Sequence, residues 1–184
     1  SQTLSLTIWR GLKMKLIVHA GTHKTATTSF QRLCYNNFEN LIASKVLYPK
    51  YRNWKQHSYL AWQFQSQNKP VISDFFRGLL DATEALGCKT AIISGEDFEN
   101  SLIDHTMANE LENNARLAGF NEIEWIFVRR QPSQYLKAIY GELSKQSLYG
   151  NVVLDVAVMA HCIKHHGYFS CASKNYNYKL FRLG

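Results

Sequence analysis

The sequence is short of several features that would assign it to a special class of protein. It has no apolar run near the ~20 residues of a membrane-spanning helix, and its start lacks the pattern of a signal peptide. It has no CxxC pair, and its cysteines are few and scattered, whereas a small disulfide-stabilised secreted domain is usually denser in cysteine. The cysteines are Cys34, Cys88, Cys162 and Cys171. We therefore expect a cytoplasmic protein in a reducing environment, without a membrane span.

Acidic residues are fewer than basic residues in this sequence. The chain of 184 residues has 14 Asp and Glu against 21 Lys and Arg, a formal net charge of +7. This excess favours an anionic partner, but nucleic acid, phosphorylated cofactors, acidic lipids and sulfated or acidic sugars all remain open. With 46% hydrophobic residues the chain is not a disordered one, and its length is that of one ordinary domain.

Strand-like and helix-like segments alternate along the chain. This order predicts an α/β fold in three layers, α/β/α, around a central parallel sheet. In such sheets ligands bind beyond the carboxyl ends of the strands. Buried strands are predicted over 15–20 and 89–94, a third strand over 122–128 and a short extended piece over 46–48. Helices are predicted over 27–37, 54–67, 74–86, 106–118 and 151–167 and after Pro132.

The exit of the first strand is a glycine-containing turn that leads into a helix rich in hydroxyls. Backbone N–H groups converge at such a helix start, and its dipole favours an anion. Lys24 adds a full positive charge, so the turn predicts a phosphate or sulfate site, although an N-capped helix with spare threonines remains the alternative. The residues of this predicted site are Gly21, Thr22, His23, Lys24, Thr25, Ala26, Thr27 and Thr28. The Walker A pattern GxxxxGK(S/T) is absent.

The exit of the third strand carries a second pattern. Arg130 is followed by Pro132 and, ten residues after the arginine, by Tyr140, with Ala138 between them. A guanidinium suits a phosphate dianion. Arg129 is the alternative to Arg130, because successive residues of a strand point to opposite faces.

These two motifs together resemble those of bacterial-type sulfotransferases that use 3′-phosphoadenosine-5′-phosphosulfate (PAPS). The first exit, Lys-Thr-x-Thr-Thr, is similar to their 5′-phosphosulfate loop, with Ala26 where the family often has glycine. The second exit is similar to their 3′-phosphate motif, with Ala138 where the family has a serine that binds this phosphate. The likeness covers residues 15–146 and is specific at the two loops.

The resemblance implies a fold like that of P-loop NTPases, PAPS as co-substrate and no required metal. It implies that Lys24 stabilises the leaving phosphate oxygen. An acceptor hydroxyl also needs a general base, and three residues compete for that role. Glu96 follows the second buried strand, His57 lies in the polar segment after the first unit, and His23 is in the loop itself, where orienting Lys24 is the favoured interpretation.

The domain hypothesis is an extension over residues 1–13 and a sulfotransferase-like domain over 14–184 that is incomplete at its carboxyl end. The acceptor is expected to be a hydroxyl, or an amine, of a carbohydrate or lipid-type molecule, with no nucleic acid as partner. A nucleotide kinase or other NTPase, and a non-enzymatic polyanion binder, are the alternatives.

A cluster of side chains that can bind metal lies near the end of the sequence. It consists of His161, Cys162, His165, His166 and Cys171, and we interpret it as a helix end rather than a metal site.

Overall fold

The computed structural model describes residues 13–21, 27–52, 54–102 and 105–128, together with 131, 133–134, 137–138 and 141. Strands and helices alternate through these ranges as the sequence predicts. The strands are β1 (Lys15–Gly21), β2 (Val46–Leu47), β3 (Thr90–Ser94) and β4 (Glu122–Val128). The helices are α1 (Thr27–Asn36), α2 (Phe38–Ala43), α3 (Ser58–Gln65), α4 (Lys69–Ala85) and α5 (His105–Ala118), with a 3₁₀-helix (Glu96–Leu102) between β3 and α5.

The four strands form one sheet in the order β2-β3-β1-β4, and every neighbouring pair is parallel. β1 and β3 are the two interior strands, paired along both edges, and they are more deeply buried than β4. All four strands therefore end at the same edge of the sheet, called the carboxyl edge below.

The two faces of the sheet are covered by different helices. Leu16, Val18 and Ala20 of β1 are fully buried and belong to one core cluster with Phe76 of α4 and Leu111 of α5. The intervening residue His19 belongs to the opposite face, where its ring lies 4.4 Å from the ring of Phe30 in α1. This arrangement is compatible with three α/β/α layers.

Local sequence explains most of the helix boundaries. α4 ends before Gly87, whose φ of 63° lies in the left-handed region that glycine adopts at low cost. α5 buries Met107, Leu111 and Ala115, spaced four residues apart on one stripe as the sequence predicts.

The predicted α/β class with a parallel sheet is confirmed, and several boundaries change. α3 is shorter than the predicted helix over 54–67, and α4 begins at Lys69 rather than at residue 74. Pro70 occupies the first turn of α4, where its missing N–H costs nothing. The sequence did not predict α2 or the 3₁₀-helix. The predicted helix over 151–167 lies outside the described residues, as does the predicted extension over 1–13 except for its last residue. Of the helix predicted after Pro132, residues 133–134, 137–138 and 141 are described and are helical.

In the part of the chain that the structure describes, the longest helix has 17 residues, and no helix has the length and apolarity needed to cross a membrane.

Candidate functional site

Three strands end side by side at the carboxyl edge. Gly21 and Val128, the last residues of β1 and β4, are register partners, and His19 is the partner of Ser94, the last residue of β3. Neighbouring strands lie about 4.8 Å apart. The two loops that resemble the PAPS motifs therefore leave the sheet from adjacent positions, with the exit of β3 on the other side of β1.

The first helical turn after β1 contacts the residue that follows β3. The Thr27 hydroxyl donates a hydrogen bond of 2.5 Å to Glu96 Oε1 across 69 residues of sequence. Thr27 is buried, and Glu96 begins the 3₁₀-helix immediately beyond the carboxyl edge. The structure thus brings together two residues that the sequence assigned to different roles, one to anion binding and one to proton transfer.

A buried polar cluster lies directly beneath this contact. The Ser94 hydroxyl lies 2.8 Å from His19 Nδ1 and accepts a hydrogen bond of 3.2 Å from Gln31 Nε2 of α1. All three side chains are buried, and burial lowers the pKa of His19. The cluster joins β1, β3 and α1, and so it fixes the start of α1 relative to Glu96.

Gly95 leaves room for the close approach of α3 to the carboxyl edge. A Cβ at this position would lie 3.0 Å from the backbone nitrogen of Ser58 and 3.2 Å from the ring of Phe98. The Gly95 N–H also donates to the His19 carbonyl at 3.2 Å. Backbone groups of Ser58 in α3 and of His19 in β1 therefore both lie close to the residue that precedes Glu96.

The structure does not support His57 as the general base for which the sequence made it a candidate. It is fully buried, its Nδ1 accepts a hydrogen bond of 2.9 Å from the Ser94 N–H, and its Nε2 donates to the Pro49 carbonyl at 2.9 Å. Both ring nitrogens are thereby used by the backbone. This ring ties the segment after β2 to the end of β3, and no free ring nitrogen remains to take a proton from a substrate.

The buried His57 ring makes folding stability dependent on pH. Burial lowers its pKa to about 4, whereas an exposed histidine titrates near 6.5. Between these values the unfolded chain binds more protons, so stability is complete above pH ~6.5 and decreases as the pH falls towards 4. Because of His57, we expect the free energy of unfolding to be about 3 kcal/mol lower at pH 4 than at pH 7. Burial of His19 acts in the same direction.

Urea unfolding at a series of pH values measures this effect. His57→Gln is expected to flatten the pH dependence between 4 and 6.5, and His105→Gln, which changes an exposed histidine on α5, is expected to leave it unchanged. An equally steep dependence in His57→Gln would contradict the assignment.

The structure describes only part of the two motifs. Thr22, His23, Lys24, Thr25 and Ala26 lie outside the described residues, as do Arg129 and Arg130. Thr28 is exposed at the start of α1, and Ala138 is helical and half-buried. Their assignments to nucleotide binding stay predictions.

Groups of three or more metal-ligating side chains do not occur within the described ranges. The histidine and cysteine cluster at 161–171 lies outside those ranges.

Sequence reasoning did not identify His19 or Gln31 as parts of this region. A signal for His19 was present, because strand alternation places it on the face opposite Leu16 and Val18, where a helix must cover it.

Comparison of the chain with protein-family models, with curated proteins and with solved structures finds no match.

Proposed function

We propose that this protein is a sulfotransferase that moves a sulfuryl group from PAPS to a hydroxyl, or an amine, of a carbohydrate or lipid-type acceptor in the cytoplasm. The observation that carries the proposal is the contact between Thr27 and Glu96. It joins the helix start of the anion-binding motif to a carboxylate at the same edge of the sheet. Binding of the donor and proton transfer from the acceptor can then take place within one region.

The residues present fit the donor. Gly21 ends β1, and the hydroxyls of Thr27 and Thr28 stand at the start of a ten-residue helix. A helix start with its dipole and N–H groups suits the 5′-phosphate, and the sequence has Lys24 three residues before this helix as a source of positive charge. Arg130, or its neighbour Arg129, follows the strand paired with β1 and suits the 3′-phosphate.

The proposed reaction is an in-line displacement at sulfur. The acceptor oxygen forms a bond to sulfur while the bond between sulfur and the 5′-phosphate oxygen breaks, and adenosine 3′,5′-bisphosphate leaves. Glu96 takes the proton of the acceptor hydroxyl, and Lys24 balances the charge that develops on the leaving oxygen. Glu96 is assigned this role in preference to His57, because the ring nitrogens of His57 are bonded to backbone.

The Thr27 hydroxyl links donor binding to the state of Glu96. A hydroxyl has one proton to donate, and in this structure Thr27 donates it to Glu96. When the same hydroxyl turns to the 5′-phosphate, its hydrogen bond to Glu96 Oε1 breaks, while the other acceptor positions of the carboxylate are unaffected.

Thermal unfolding with candidate ligands tests the donor assignment. Adenosine 3′,5′-bisphosphate at about one hundred times its Kd is expected to add about 2.7 kcal/mol of stability, which raises Tm by about 5–10 °C for a chain of this size. Adenosine 5′-monophosphate, which lacks the 3′-phosphate, is expected to give a smaller shift.

ATP with Mg²⁺ and a single-stranded oligonucleotide are the comparison ligands. A larger shift with ATP and Mg²⁺ would favour a kinase or NTPase, and a larger shift with the oligonucleotide would favour a polyanion binder. Either outcome, or no shift with the bisphosphate, would overturn the proposal.

A further inference from the structure

The segment between α2 and the middle of α4 has no acidic residue. From residue 40 to residue 73 the sequence contains no Asp or Glu but five cationic residues, Lys45, Lys50, Arg52, Lys55 and Lys69. None of the ion pairs between described residues involves Lys50, Arg52 or Lys55. Lys50, Arg52 and Lys55 therefore form no ion pair with an acidic side chain of the described residues.

Two of these cations converge on one aromatic ring. Lys50 Nζ lies 5.1 Å and Lys55 Nζ 5.9 Å from the centre of the Tyr35 ring, and Lys50 Nζ also lies 4.6 Å from the centre of the Phe38 ring. The rings attract each ammonium group, but the two like charges repel each other. An anionic group bound between them would relieve that repulsion.

Arg52 forms a second contact of the same kind. Its guanidinium lies 3.9 Å from the centre of the Tyr59 ring and 5.8 Å from that of Tyr51, and it is exposed. Cationic groups thus lie over the rings of Tyr35 and Tyr59, and these ring faces are not free for stacking with another ring. Single-stranded nucleic acid needs open faces on which its bases stack, so this surface suits it less well than a ligand recognised by its anionic groups.

This surface is tied to the candidate site. The Tyr48 hydroxyl donates a hydrogen bond of 2.8 Å to the Lys55 carbonyl, and the His57 N–H donates one of 2.7 Å to the Ser94 carbonyl. Hydrogen bonds therefore connect this segment, which contains Lys50, Arg52 and Lys55, to the end of β3. Ser94 lies two residues before Glu96 in the sequence. The surface and Glu96 therefore follow two neighbouring strands of the sheet, β2 and β3.

We propose that Lys50, Arg52 and Lys55 form a binding surface for the anionic groups of an acidic carbohydrate, and that this carbohydrate is the acceptor. The carboxylates of uronate residues would lie between the cations while a ring hydroxyl reaches Glu96. The second half of the proposal rests on the proposed function, whereas the binding surface does not.

Calorimetric titration without any nucleotide tests the surface. The probes are a hyaluronan hexasaccharide, which carries carboxylates, the neutral maltohexaose and a single-stranded hexanucleotide. The double variant Lys50→Gln/Lys55→Gln is expected to weaken hyaluronan binding about tenfold, and Arg52→Gln about threefold. The matched control Lys69→Gln/Lys89→Gln removes the same charge from exposed residues away from Tyr35 and is expected to change Kd less than about twofold.

The outcomes separate this proposal from the previous one. Preferential binding of the acidic hexasaccharide that depends on Lys50 and Lys55 supports the surface, whether or not adenosine 3′,5′-bisphosphate binds. Equal binding of the neutral sugar, equal losses in the control variant, or tighter binding of the hexanucleotide through the same lysines would overturn it. Stabilisation by the bisphosphate without hyaluronan binding would leave the sulfotransferase proposal standing and remove this one.

Discussion

Replacing Lys24 by alanine is expected to lower kcat/KM for sulfuryl transfer from PAPS by about 10²–10³-fold. As the bond between sulfur and the 5′-phosphate oxygen breaks, negative charge accumulates on that oxygen. We assign its stabilisation to Lys24, because this lysine lies in the sequence between β1 and α1. A group that acts on charge present only in the transition state changes kcat more than it changes binding of the donor.

Transfer of ³⁵S from labelled PAPS to candidate glycans measures this effect. Lys13→Ala is the matched control, because Lys13 is exposed before the amino end of β1, at the opposite edge of the sheet. The control is expected to retain activity within about twofold, as surface changes usually do. Activity of Lys24→Ala equal to that of the control would remove Lys24 from the mechanism, whereas equal losses in both variants would show a general effect of charge.

Elements with a strong local pattern could be predicted from the sequence. β4 occupies residues 122–128 as expected, because β-branched and aromatic residues are frequent between Gly119 and the polar residues after Val128. α5 followed from its apolar stripe and from Gly119, which has a φ of 127°. The start of α4 was missed because its first residues, Lys69 and Pro70, are typical of a loop, and only their position in a first turn makes them compatible with a helix.

Contacts between distant residues could be predicted only in part. The carboxyl ends of parallel strands share one edge, so Thr27 and Glu96 could be placed in the same region. Their hydrogen bond could not be derived, since it depends on how α1 packs on β3 through Ser94 and Gln31. The burial of His57 could not be predicted either, because it depends on backbone groups of Pro49 and Ser94.

Replacing Glu96 by glutamine is expected to lower kcat by about 10²–10⁴-fold, the usual contribution of a general base. Glutamine keeps the size of the side chain and its Oε1 still accepts the Thr27 hydrogen bond, so the fold and the start of α1 are preserved. The amide cannot take a proton from the acceptor at neutral pH. The KM for PAPS is therefore expected to change little, which distinguishes a loss of proton transfer from a loss of donor binding.

Two further variants separate proton transfer by Glu96 from its contact with Thr27. Thr27→Val removes the hydroxyl with little change in volume, so it is expected to raise the KM for PAPS and to lower kcat less than Glu96→Gln does. Glu39→Gln, which changes an exposed carboxylate on α2, is the matched control and is expected to leave both constants unchanged. If Glu96→Gln and Thr27→Val raise the KM for PAPS equally and leave kcat intact, Glu96 only orders the helix start, and the base lies elsewhere. If Glu96→Gln lowers kcat alone, the contact with Thr27 holds the base at the edge where the donor binds.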